Sequence, residues 1–172
     1  RILSSAASDV YKRQVKGQYL QGKSWEEARD NVYERYQVES KDGYNITSKK
    51  LYCNGCFAAG INFAASLISL FWGEGNLKRT IKIGTLTGWD SDNPTSTWGG
   101  LIGFILGKKG VEKEFNRKFS EKYFIHRTRQ NFDYEVDDFD NMANNAIKII
   151  TNMVKNEING CLLYTSPSPR DS

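Results

Sequence analysis

The chain has 172 residues, of which 39% are hydrophobic and 26% are charged, and its mean hydropathy is −0.58. These values are typical of one soluble domain, and they exclude a disordered tail, a collagen-like chain and a disulfide-dense miniprotein. The 24 basic residues exceed the 20 acidic residues by four. Because no basic face with interleaved aromatic side chains accompanies this excess, nucleic acid is not an expected partner.

Both ends of the chain read as translated sequencing adapter. Residues 4–14 are SSAASDVYKRQ and residues 161–171 are CLLYTSPSPRD, the peptides encoded by the two adapters of a transposase-based library. We therefore predict that residues 1–14 and 161–172 are adapter-derived, and that residues 15–160 are the C-terminal part of a single domain. The native N-terminus is then missing, so the localisation is left open, with the cytoplasm slightly favoured.

The first elements of residues 15–160 are helical. The sequence Ser24-Trp25-Glu26-Glu27 is a capping box, which predicts a helix from there to about Tyr36. Residues 41–45 contain Asp42-Gly43 and predict a turn.

The uncharged segment CFAAGINFAASLISLFW, residues 56–72, allows two interpretations, a membrane span or a helix buried in a bundle. Its 17 residues are the short limit for a span, and polar residues such as Asn62 interrupt it. Its alanines and glycine suit close helix packing, so we predict a buried helix and no membrane partner. We expect Cys53 and Cys56 at its start to be buried thiols rather than a redox or zinc half-site.

Two more helices are predicted in the middle of the chain. Asn76 should cap a helix that packs apolar residues inward, namely Leu77, Ile81, Ile83 and Leu86. In residues 97–107, glycines recur at four-residue steps (Gly99, Gly103 and Gly107), which predicts a bare helix face for close approach of another backbone.

The clearest amphipathic pattern predicts the last helix, from Asp137 or Asp138 to Ile158. We expect its apolar stripe to lie in the core. Residues 122–132 fit a strand or irregular structure equally well.

Residues 88–94, Gly-Trp-Asp-Ser-Asp-Asn-Pro, form what we call the acidic loop. Two carboxylates one residue apart on an irregular loop can face a common point, which suits a hard cation such as Mg²⁺ or Ca²⁺. The alternative is that Asp90, Asp92 or Asn93 only caps a helix that starts near Thr95.

The stretch of residues 54–110, with its Gly88-x-Asp90-x-Asp92 motif before a glycine-rich helix, resembles the C-terminal half of the ADP-ribosylglycohydrolase family. The resemblance implies an all-α helical bundle with a binuclear Mg²⁺ centre at the base of an ADP-ribose cleft. It also implies that Asp90 and Asp92 are metal ligands. Asn93 stands where many members have a threonine ligand, and its amide oxygen could serve instead.

By this resemblance the whole protein would be a Mg²⁺-dependent hydrolase that removes ADP-ribose from a protein side chain or a small conjugate. Family members carry an early Thr-Asp-Asp type motif that residues 15–48 lack, so we expect this fragment to be inactive alone. The alternative is a relative that binds ADP-ribose, or has a structural role, without hydrolysis. An incomplete bundle should also expose apolar helix faces and associate.

Other candidate site residues have simpler explanations beside the functional ones. Trp89 and Trp98 flank the acidic loop and could stack on an adenine, although core packing is commoner. His126, Arg127 and Arg129 could hold a phosphate, although a solvated face or an ion pair with the acidic residues 133–140 is commoner.

Overall fold

The computed structural model describes residues 5–44, 55–126, 128–131 and 135–157. The chain divides into two units, residues 1–117 (unit 1) and 118–172 (unit 2). Most described residues are helical, which confirms the predicted all-α class. Unit 1 contains α1 (Ser5–Leu20), α2 (Trp25–Val32), a π-helical turn (Tyr33–Val38), a 3₁₀ turn (Lys41–Gly43), α3 (Ala59–Gly73), α4 (Leu77–Leu86) and α5 (Asp92–Phe115); unit 2 contains β1 (Lys122–Phe124), β2 (Val136–Asp138) and α6 (Phe139–Asn156).

Helix α2 starts with the predicted capping box. The Glu27 backbone N–H donates to Ser24 Oγ at 3.2 Å, and the Ser24 backbone N–H donates to Glu27 Oε2 at 2.8 Å. The Ser24 bonds lower the pKa of Glu27, because they stabilise its charged form. The helical path continues through the π-helical turn, whose Tyr36 is fully buried, to the predicted turn around Asp42.

Helix α3 forms the centre of unit 1. Its side chains include the fully buried Ile61 and Ile68, and it contacts α1, α2, α4 and α5. The predicted buried helix is therefore confirmed. Within the described part of the chain, no helix is both long enough and apolar enough to cross a membrane.

Cys56, just before α3, is disulfide-bonded, so the expectation of a buried thiol is wrong for this residue. The spacing of cysteines does not fix their redox state. Cys53 lies outside the described residues.

Helix α4 is capped as predicted, because Asn76 Oδ1 accepts the Arg79 backbone N–H at 2.8 Å. Leu77 and Ile83 are buried, whereas Leu86 is 50% exposed. The prediction that Leu86 packs inward is therefore wrong, since it ends the helix and faces solvent.

The sequence predicts that another backbone approaches α5 closely at its glycines, but the tight helix contact lies elsewhere. A Cβ on Gly99 would only touch Ile81 at an ordinary 3.5 Å, and Gly107 interrupts α5 with a φ of 66°. Gly73 at the end of α3 is instead the tight contact, because a Cβ there would overlap Thr80 of α4. A glycine at every fourth position defines one bare face of a helix, but it does not determine which other helix packs there.

Helix α1 extends back through the segment predicted to be adapter-derived. Tyr11 is buried, and its ring lies 4.7 Å from that of Tyr36. The fully buried Val15 is the first core residue of α1 beyond that segment. The adapter origin of residues 1–14 stays a prediction, because a helix can continue into any fused peptide of suitable propensity.

In unit 2, β1 and β2 pair antiparallel with Lys122 opposite Asp138. Asp138 Oδ1 accepts the Asn141 backbone N–H at 2.7 Å and so caps α6, at the position that the sequence predicts. No residue of α6 is buried, and its apolar stripe stays exposed, including Ile147 and Ile150. The prediction of a core stripe is therefore wrong, because one short hairpin cannot cover this helix.

Candidate functional site

The acidic loop joins α4 to α5 through a sharp reversal of the backbone. Gly88 has a φ of 85°, which favours glycine, and Trp89 also has a positive φ of 53°. Thr87 precedes them and donates its hydroxyl to the Gly84 carbonyl at 2.8 Å. Two successive left-handed residues turn the chain so that Asp90 returns toward α3.

Asn62 of α3 connects the acidic loop to the start of that helix by hydrogen bonds. Its Oδ1 accepts the Asp90 backbone N–H at 3.0 Å, and its Nδ2 donates to the carbonyls of Cys56 and Ala58 at 2.7 and 3.0 Å. Asn62 is only 8% exposed. A buried amide with its oxygen and nitrogen both bonded has one orientation, so it fixes the position of the Asp90 backbone relative to α3.

The loop brings the two predicted carboxyl groups together. The Asp90 carboxyl lies close enough to that of Asp92 to interact with it, and Asn93 Nδ2 donates to Asp90 Oδ2 at 2.7 Å. The hydrogen bond with Asp92, with smaller effects of desolvation and of the Asp92 charge, raises the pKa of Asp90. The raised pKa reflects two carboxyl groups held close together, and a bound cation would favour their charged forms instead.

The alternative of a simple helix cap gains no support from the hydrogen bonds. Helix α5 begins at Asp92 and not near Thr95 as predicted, and its N-cap Ser91 makes no side-chain cap bond. Thr95 Oγ1 bonds back to the carbonyls of Ser91 and Asp92 at 2.9 Å each. The remaining cap-like effect is the charge of Asp92 in the first turn, which the helix dipole favours.

The charge around the loop suits a cation. Among the ion pairs of the described residues, none includes Asp90 or Asp92. The described part of the chain also holds no cluster of three or more His, Cys, Asp or Glu side chains placed to hold a metal. The two carboxylates are at most part of a ligand set for a hard cation, whose further ligands would have to be amide oxygens, water or other segments.

Asn93 differs in detail from its predicted role. Its amide nitrogen faces Asp90, so its oxygen points away from that carboxylate. To bind the same cation as Asp90, the amide would have to turn over, which needs only rotation of an exposed side chain.

The two predicted tryptophans both use their indole N–H groups inside the protein. Trp89 Nε1 donates to Gln37 Oε1 at 2.6 Å, and Trp98 Nε1 donates to the Ser66 carbonyl at 2.8 Å. Trp89 also packs against the core of unit 1. Both rings are half-buried and so combine packing with a partly accessible surface.

Two residues of this site have weak sequence signals. Asn62 stands out only as a polar residue within an apolar run, which is a sign of a buried hydrogen bond. Gln37, which binds Trp89, lies in a π-helical turn that no local pattern indicates, and such turns occur often at functional sites.

The basic residues predicted as a phosphate site lie in unit 2. His126 Nδ1 faces Thr128 Oγ1 at 2.8 Å, and Arg129 shares a groove with His126. Arg127 and Asp133, one of the acidic residues expected to pair with this basic group, lie outside the described residues.

The chain matches no protein-family model, no curated protein and no solved structure. The family resemblance therefore depends on the motif of residues 88–92 and its helical setting alone.

Proposed function

We propose that the acidic loop is one part of the Mg²⁺ centre of a hydrolase that removes ADP-ribose from a protein side chain or a small conjugate. The observation that carries this proposal is the placement of Asp90 and Asp92, one residue apart, on a loop anchored by Asn62, with Asn93 Nδ2 bonded to Asp90 Oδ2. The resemblance of the motif to ADP-ribosylglycohydrolases adds the substrate class.

The residues present have the donor chemistry of a magnesium site. Asp90 and Asp92 would hold the ion, and Asn93 could add an amide oxygen. When bound, Mg²⁺ supplies charge that orients ribose hydroxyls and polarises water. The chain's own contribution is to hold two like charges together in advance, through the left-handed turn and the Asn62 amide.

Titration of the whole chain with Mn²⁺, followed by the electron paramagnetic resonance of the free ion, tests the site. We expect binding that Mg²⁺ and EDTA reverse, and an affinity at least about tenfold lower in Asp92→Asn, because one of two charged ligands is lost. Asp30→Asn is the matched control, since Asp30 is an exposed carboxylate of unit 1 paired with Arg29. Equal binding by Asp92→Asn and the unchanged chain, or no Mn²⁺ binding at all, would refute the metal site.

A relative that binds ADP-ribose without hydrolysis is the second candidate. Two observations favour this candidate. The described residues contribute only two carboxylates at the loop, and the Asn93 amide nitrogen faces Asp90. Calorimetry with ADP-ribose separates the two functions. Binding that EDTA leaves unchanged supports the non-catalytic relative, whereas binding that requires Mg²⁺ supports the hydrolase.

A further inference from the structure

Unit 2 contains a groove of about 540 Å³ between the end of β1 and one face of α6. Its apolar walls are Phe124 and Ile125 on one side, and Met142, Ala146 and Ile149 of α6 on the other. We call it the α6 groove. An open groove of this size, with mostly apolar walls and few polar groups, has room for a small organic ligand.

The apolar walls are open to solvent. Phe124 is 84% exposed, Ile149 is 60% exposed and Met142 is 46% exposed. An apolar body that entered the groove would remove part of this surface from water, which is favourable in proportion to the area covered.

Two hydrogen-bond donors lie in the same groove, His126 and Arg129. The Thr128 backbone N–H donates to His126 Nδ1 at 3.3 Å, so the neutral ring carries its hydrogen on Nε2. Arg129 has only donors, and none of the ion pairs among the described residues includes it. Both groups are exposed and can donate to an acceptor on a ligand, and Arg129 favours an anionic one.

The one carboxylate in the groove, Asp137, is engaged elsewhere. Its oxygens accept Asn141 Nδ2 at 2.8 Å, the Asp138 backbone N–H at 2.8 Å and the Tyr123 hydroxyl at 3.0 Å. These bonds, that of Asn141 first, lower the pKa of Asp137 because they stabilise its charged form. Asp137 thus fastens β1 and β2 to α6, and its oxygens are directed at these three donors.

We propose that the α6 groove binds a small amphipathic anion. The aromatic or aliphatic body of the ligand lies against Phe124, Met142 and Ile149, and its carboxylate or phosphate head accepts hydrogen bonds from Arg129 and His126. This site is independent of the acidic loop and of the proposed hydrolase function.

Ligand-observed NMR on the whole chain at micromolar concentration tests the proposal with three probes of matched body: 3-phenylpropanoate, 2-phenylethyl phosphate and 3-phenylpropanol. We expect both anions to bind at least about fivefold more tightly than the alcohol, because a solvent-exposed charge-assisted hydrogen bond has this modest strength. The stronger of the two anions identifies the head group. Equal affinity for the alcohol and both anions overturns the proposal and marks the groove as a face for helix packing.

Three variants locate the binding. Arg129→Gln should weaken the anions about fivefold and leave the alcohol unchanged, because only the charged contact is lost. Ala146→Trp should abolish binding of all three probes, since the exposed alanine can be enlarged without disturbing a core. Lys148→Gln is the matched control on α6, since Lys148 does not line the groove. Unchanged anion binding by Arg129→Gln, or full binding by Ala146→Trp, would also overturn the site.

Discussion

Replacing Asn62 by alanine removes the three hydrogen bonds that connect the start of α3 with the acidic loop. The Ala58 carbonyl keeps a partner, because it also accepts the Asn62 backbone N–H at 3.2 Å. The Cys56 carbonyl and the Asp90 N–H lose theirs. At about 1 to 1.5 kcal/mol for each of these two groups, the free energy of unfolding should fall by about 2 to 3 kcal/mol.

Urea denaturation followed by circular dichroism measures this loss. Lys82→Ala is the control, because Lys82 is exposed on α4 and its removal should change the stability by less than about 0.5 kcal/mol. Amide hydrogen exchange gives a second reading, since the Asp90 amide should exchange faster in Asn62→Ala. A stability like that of Lys82→Ala, together with unchanged exchange at Asp90, would refute the anchoring role of Asn62.

Three further perturbations test other parts of the structure. Gly73→Ala should lower the free energy of unfolding by about 1 to 3 kcal/mol, because the added Cβ overlaps α4. Gly100→Ala should raise it by about 0.5 to 1 kcal/mol, because the added Cβ meets open space. The reverse order would contradict the packing of α3 on α4. The pKa of Glu27 in the folded protein lies below its ordinary value near 4.5. The charged Glu27 should therefore stabilise the fold above about pH 4.5, and this stabilisation should be lost as the pH falls through the folded pKa. Glu27→Gln should flatten this part of a pH–stability profile. Ile150→Lys should reduce concentration-dependent association in light scattering, because Ile150 is 52% exposed, whereas Asn152→Lys adds the same charge and should not; equal effects would point to net charge instead.

The helices and caps of this protein could be predicted because they depend on local patterns. The capping box at Ser24, the Asn76 cap and the uncharged run of α3 each specify their structure within a few residues. The proximity of Asp90 and Asp92 is also a local feature, since one residue separates them on a loop.

The errors concern partners from elsewhere in the chain. The repeat of Gly99, Gly103 and Gly107 predicts a close approach of another backbone, but the overlap with a neighbouring helix is found at Gly73, because the neighbour of a helix face depends on tertiary packing. The stripe on α6 is regular yet uncovered, since periodicity shows which face is apolar and not what lies against it. The anchoring of the acidic loop by Asn62 joins residues 28 apart, beyond any local rule.

The short connections around α4 have a consequence for how the protein folds. Helices α3, α4 and α5 follow one another along the chain, and each packs on the next. Contacts between sequence neighbours close small loops and form quickly, on the microsecond to millisecond scale of helical bundles. We therefore expect Asp90 and Asp92 to be brought together early during synthesis, while unit 2 is still being made.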